Sequence, residues 1–154
     1  MSSSLRLIAQ ALADSLADCT FTSVSDPLTI LRANWPSFTV EELVNPVLAI
    51  TPPGYTLERA ARTAHVYDYQ VSVFLGRHTP TEAMADAMLD LCEEVVDLIR
   101  DHRWATLAPA VTWPAGVTSP QTIEVNMNPD EGLQDRNVWR AIVTITYRLP
   151  KAHA

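Results

Sequence analysis

The sequence predicts an α+β domain, in which an antiparallel sheet of four to five strands carries a long amphipathic helix and an N-terminal helix packed on one face. Three observations predict it. The stretch from Thr79 to Arg103 has the period, start and stop of one long helix; two stretches, Thr63 to Leu75 and Val138 to Leu149, alternate apolar and polar residues with period two; and every patterned segment has a single apolar stripe to bury. Helices laid on one face of one sheet bury all of these stripes together. With 154 residues, 47% of them hydrophobic and 19% charged, the chain supplies one core and not two, so residues 1–154 are expected to form a single domain.

Taken in order, Leu5, Ile8, Ala9, Leu12 and Leu16 keep helical spacing with Arg6, Gln10 and Asp14 opposite, and Ser3 or Ser4 can cap, which predicts a helix over 4–18. Leu28 to Arg32 fits a short strand, with Asp26-Pro27 and Trp35-Pro36 as punctuation. Thr39 and Glu42 stand at capping-box spacing and predict a helical turn before Pro46. Val47 to Ile50 reads as a strand halted by Thr51-Pro52-Pro53-Gly54, because two prolines remove two ladder donors. Tyr55 to Arg62 fits extended chain or a helical turn, and from Thr63 the alternation is clear, with Tyr67, Tyr69, Val71, Val73 and Leu75 on one face.

In the long helix Met84, Ala87, Met88, Leu91, Val95, Leu98, Ile99 and His102 form the apolar face, and Glu82, Asp86, Asp90, Asp97 and Asp101 the acidic one. Thr79 is its expected cap, Pro80 suits the first helical position, and Arg100, His102 and Arg103 meet the negative end of the helix dipole. Trp104 to Pro120 follows, with two tryptophans, three prolines and no charge, and can be neither helix nor central strand. Thr122 to Met127 alternates with Ile123, Val125 and Met127 inward, a polar run covers 128–137, and the strand from Val138 closes a hairpin. All four glycines, Gly54, Gly76, Gly116 and Gly132, fall between these elements.

A net charge of −7 with no cluster of Lys and Arg speaks against a surface for nucleic acid or anionic lipid. Cys19 and Cys92 lack metal or disulfide-framework spacing and read as reduced thiols, which suits a cytosolic setting. The N-terminal stretch MSSSLRLIAQALADSLADC is broken by Gln10 and Asp14 and predicts neither a signal peptide nor a membrane span. Scattered glycines exclude a Walker loop or a G-x-G-x-x-G turn; His65, His78, His102 and His153 have no metal-ligand spacing; no serine sits in G-x-S-x-G. No cofactor, no metal and no catalytic residue is therefore expected. If the chain were instead a small enzyme or ligand-binding domain, Asp68, Glu124 and Arg140 would be expected to converge in a pocket on the polar face of the sheet.

The acidic face of the helix reads by default as a solvated outer face, or else as the negatively charged lining of another surface. The uncharged stretch 104–120 reads as a lid that covers the sheet or, by preference, as an arm for another chain, for which Trp104 and Trp113 are large apolar anchors and Pro109 and Pro114 limit the entropy lost on docking. The run 128–137, with Asp130, Glu131, Asp135 and Arg136, suits a polar rim that selects a partner.

An apolar strand ending in ITPPG, the long strand HVYDYQVSVFLGR, a helix opening TPTEAM, a Trp-rich connection and the closing strand NVWRAIVTITYRLP together resemble the tail terminator or tail completion proteins of tailed bacteriophages, over about Val44 to Leu149. The resemblance implies a non-enzymatic structural protein of the virion, made in the host cytoplasm. Its copies would close into a hexameric ring that caps the tail tube and joins it to the head or neck. The implied partners are the chain itself, the tail tube protein and a head-tail connector or neck protein, with DNA passing through the lumen without sequence-specific contact and no membrane involved. A connector or adaptor at an adjacent level of the neck is the alternative. Under the resemblance Trp104, Pro109, Trp113 and Pro114 would lie at the subunit interface, and Asp130, Glu131, Asp135 and Arg136 would meet the tube or neck.

Overall fold

The computed structural model describes residues 3–34, 38–39, 41–61, 64–101, 111, 113–117, 120–127 and 137–152. The elements run α1 (Ser4–Ala17), β1 (Thr29–Arg32), β2 (Val47–Ala61), β3 (Ala64–His78), α2 (Glu82–Asp101), β4 (Thr122–Met127) and β5 (Val138–Ala152). They form an α+β fold with two helices and one five-stranded sheet of order β1-β2-β3-β5-β4.

The sheet is mixed and not antiparallel throughout: β1 runs parallel to β2, pairing Thr29 with Val47 through Arg32 with Ile50, while the other three pairings are antiparallel. The reason lies in the connection between them. A tight hairpin would reverse the chain, but fourteen residues, 33–46, separate the two strands, which is long enough for the crossover that parallel pairing needs. Phe38 stacks on Phe74 with ring centroids 5.7 Å apart, and Leu43 joins Val47 and Val138 in a small apolar cluster with Leu31. Within this connection Thr39 accepts from the Glu42 amide through both its hydroxyl and its carbonyl, giving a turn over 41–43 in place of the expected helical turn.

The strand at Val47 does not stop at the two prolines. β2 is 15 residues long, and its register against β3 slips by one between Thr51 and Gly54. Such a bulge leaves the extra residue outside the ladder. β1 has also ended by then, so beyond Ile50 β2 has no second neighbour among the described residues. Missing N–H donors are tolerated on an edge, which is where Pro52 and Pro53 lie. Gly54 and Gly76 correspondingly sit inside strands, not between elements. At Gly76 a Cβ would come within 2.7 Å of the Phe74 ring, so only glycine lets that ring lie flat along its own strand.

One core unites the fold. Ile8, Leu12 and Leu16 of α1 and Met88, Leu91, Val95 and Ile99 of α2 cluster with Leu48 and Ile50 of β2, Tyr69, Val71, Val73 and Leu75 of β3, and Ala141, Val143, Ile145, Tyr147 and Leu149 of β5. The strand contributions come from one pleat parity, as the alternation requires. Leu98, expected in this core, is only half-buried. Ser3 caps α1 through the Arg6 amide. Thr81, not Thr79, caps α2, its hydroxyl accepting from the Met84 amide at 3.3 Å. Thr79 is engaged elsewhere, its amide donating to the Asn137 carbonyl at 2.6 Å and its hydroxyl to the same oxygen. Asn137 itself adopts φ 54°, a left-handed conformation that asparagine tolerates. The expected helix end at His102 and Arg103, the Trp35-Pro36 break and Gly132 lie outside the described residues.

Candidate functional site

Strand length sets up the first candidate surface. β2, β3 and β5 each have 15 residues, about 50 Å at the usual rise, whereas α1 and α2, with 14 and 20 residues, span about 21 and 30 Å. The sheet outruns its helices, and Leu57, toward the far end of β2, is 54% exposed.

The second surface is the other edge. Among the described residues β4 pairs only with β5, Ile123 opposite Ile145, Val125 opposite Val143 and Met127 opposite Ala141. These register positions put its three apolar residues on the core side, as the alternation predicts. Yet only Ile123 is half-buried; Val125 and Met127 are 42% and 41% exposed, which corrects their assignment as inward residues. Nothing among the described residues flanks them on the far side. Between this edge and α2 runs a groove lined by Cys92, Val96, Val125 and Met127, with Glu93 and Asp97 at its lip.

A cleft of about 700 Å³ lies between α1 and the segment carrying Trp113 and Pro114, lined by Leu7, Ala11, Asp14 and Asp18 on the helix side. Trp113 is engaged inside its own chain: the indole N–H donates to Ser15, and the ring lies 5.4 Å from that of Tyr147. Trp104, Pro109, Asp130, Glu131, Asp135 and Arg136 lie outside the described residues.

The acidic face of α2 is partly engaged as well. The Glu94 carboxylate accepts from the Thr22 and Ser23 amides at 2.9 and 3.1 Å and from the Ser23 hydroxyl, bracing the loop after α1. Arg100 pairs with Asp97 and Asp101. No group of three or more His, Cys, Asp or Glu among the described residues is arranged to hold a metal ion.

Asp68, Glu124 and Arg140 do not converge. Asp68 faces Arg148 across the β3–β5 ladder and binds it at 2.9 Å, Glu124 lies opposite Thr144, and Arg140 lies opposite Gly76. Arg148 and Arg140 are eight positions apart on one strand, about 27 Å. Arg140 stacks over the Phe74 ring.

Cys19 and Cys92 are free thiols, half-buried and buried. Burial, and then the adjacent Glu93, push the Cys92 thiol up to about 11, and burial with Asp18 raises that of Cys19. Neither is poised as a nucleophile, since reactivity needs the thiolate.

Strands as long as these are expected to leave edges for a neighbour, but the sequence does not mark which strands form them. Pro52-Pro53 is the signal that could have marked one, because paired prolines inside an extended run belong on an edge. No family model and no curated protein sequence matches the chain. No helix among the described residues is long and apolar enough to cross a membrane.

Proposed function

We propose that this chain is a structural virion protein, a tail terminator whose copies close into a ring, hexameric as in the family it resembles, that caps the tail tube and joins it to the head or neck. The observation that carries the reading is a sheet whose two different edges, β4 and the part of β2 beyond Ile50, have no neighbour among the described residues and bear exposed apolar side chains, while Asp68, Glu124 and Arg140 do not converge. A heterologous ring needs two unlike complementary surfaces on every subunit, and two unlike edges supply them. On this reading both helices lie on one face of the sheet, supported by their shared core with residues of a single strand parity. Spreading of Asp68, Glu124 and Arg140 speaks against the enzyme or ligand-binding alternative.

The function requires no bond chemistry and no cofactor. One face of the ring meets the last tube ring and the other meets the neck. Asp130, Glu131, Asp135 and Arg136 remain, on sequence grounds, the residues assigned to those contacts, and the stretch 104–120 remains a candidate subunit contact. The net charge of −7 suits a lumen past which DNA slides. An adaptor one level up the neck would build the same kind of ring and differ in its partners.

Native mass spectrometry of the purified protein, followed by electron microscopy after mixing with isolated tail tubes or with filled heads, tests the proposal. A ring that sits on tube ends supports the terminator; a ring that binds heads alone supports the adaptor; a monomer under both conditions overturns both.

A further inference from the structure

α1 ends without the cation that its dipole calls for. Its last turn holds no basic residue, its cap is Asp18, and Asp14 stands one turn earlier, although the carboxyl end of a helix carries partial negative charge and is stabilised by Lys, Arg or His. Asp14 accepts from the Gln10 side-chain amide at 2.9 Å, and neither carboxylate is in an ion pair with a described cation. Both line the cleft beside Trp113.

The same cleft has the layout of a seat for a helix. On α1 its lining residues Leu7, Gln10, Ala11, Asp14, Ala17 and Asp18 recur with the helical period, so they form one stripe, about 16 Å long, on the side turned away from the buried Ile8, Leu12 and Leu16. Leu7 is 41% exposed there, and the small side chains of Ala11 and Ala17 let a second helix axis come close. Val111, Trp113 and Pro114 line the other side, each half-buried. Trp113 is held by Ser15 and Tyr147, so this side is in place before anything docks, which lowers the entropy lost on binding.

We propose that the cleft is the docking site for an amphipathic helix of another protein, whose apolar stripe covers Leu7, Ala11 and Trp113 and whose flanking Lys or Arg pairs with Asp14 and Asp18. A helix laid in a groove is a recurrent mode of recognition, and here the partner's cation meets the end of α1 that has none of its own. A second copy of this chain does not fit. The exposed face of α2 carries Asp86, Asp90, Glu93, Asp97 and Asp101 against Arg100 alone, and the chain's net charge is −7, so like charges would meet. The inference goes beyond the ring reading and does not depend on it.

The test uses a synthetic, lactam-braced helical peptide of about 14 residues, long enough at 1.5 Å per residue to cover the stripe, with leucines at helical spacing and lysines flanking them. Its twin has glutamates in place of the lysines. In fluorescence anisotropy the lysine peptide should bind wild type at one peptide per chain, and the glutamate peptide should not bind. Leu7→Glu, and the double variant Asp14→Lys with Asp18→Lys, should each weaken binding by about tenfold or more while melting close to wild type, because all three side chains are exposed. Asp90→Lys with Asp97→Lys, on α2, should leave binding unchanged. A lysine peptide that does not bind wild type, binds no better than its twin, binds either α1 variant as well as wild type, or loses as much affinity to the α2 variant, overturns the proposal. So does a wild-type oligomer that Leu7→Glu dissolves in native mass spectrometry, since that would assign the cleft to a second copy. The ring reading fails separately, by a wild type that is monomeric alone and with tail tubes.

Discussion

The indole N–H of Trp113 donates a 3.1 Å hydrogen bond to the hydroxyl of Ser15, a polar side chain fully buried on α1. The same ring lies against Tyr147, so the segment carrying Trp113 is fastened to both α1 and β5. Trp113→Ala should therefore destabilise the isolated chain by about 3 kcal/mol, and Ser15→Ala by about 1 kcal/mol, in urea unfolding. A Trp113→Ala chain as stable as wild type would remove Trp113 from the core.

How far the sequence carried the fold depended on whether a strand's pattern was set by its own neighbours. β3 and β5 lie side by side with a neighbour on each flank, so Val71, Val73, Val143 and Ile145 are buried and their alternation is clean. β4 shows the same alternation, but Val125 and Met127 are exposed because the strand is an edge, and periodicity reports a face without reporting its cover. Pro52-Pro53 reads locally as a stop, whereas a one-residue bulge on an uncovered edge carries the strand through. The parallel β1 was illegible for a different reason: a strand of four residues carries no signal of its direction, and the long connection to β2 admits either one. The candidate surfaces were not legible residue by residue, since edges are defined by what does not pair with them.

The two leucines of α2's apolar stripe should behave differently. Leu91 is fully buried and Leu98 only half-buried, although both fit the helical period. Leu91→Ala should cost about 2 to 5 kcal/mol, and Leu98→Ala about 1 kcal/mol, because only the first leaves a closed cavity. Equal losses in thermal or chemical denaturation would place Leu98 back in the core.

Gly76 is held by a ring. A methyl group there would stand 2.7 Å from two carbons of Phe74, whose ring is fixed between Phe38 and the Arg140 guanidinium. Gly76→Ala should destabilise by about 1 to 3 kcal/mol through overpacking, and much of that cost should vanish in a Phe74→Ala background. Additive losses in this double-mutant cycle would show that the ring is not the obstacle.

Alkaline pH should weaken the fold through Cys92. Burial first, and Glu93 second, raise its thiol from the ordinary value of 9.0 to about 11. The folded chain thus keeps a proton that the unfolded chain releases, and stability falls with pH wherever the folded state binds more protons. The contribution is complete below pH 9, declines between 9 and about 11, and is gone above that, with a slope of at most about 1.4 kcal/mol per pH unit. Tyr147, raised by burial, shifts in the same sense at still higher pH. Urea unfolding at stepped pH should show this decline in the wild type and a flatter profile in Cys92→Ala, whose smaller side chain lowers stability by a similar amount throughout. The buried thiol should also resist alkylation at pH 8 until denaturant is added, since only the thiolate reacts. A wild-type profile as flat as that of Cys92→Ala, or rapid labelling of Cys92 in the native chain, would mean that the thiol is not buried under α2 as the structure places it.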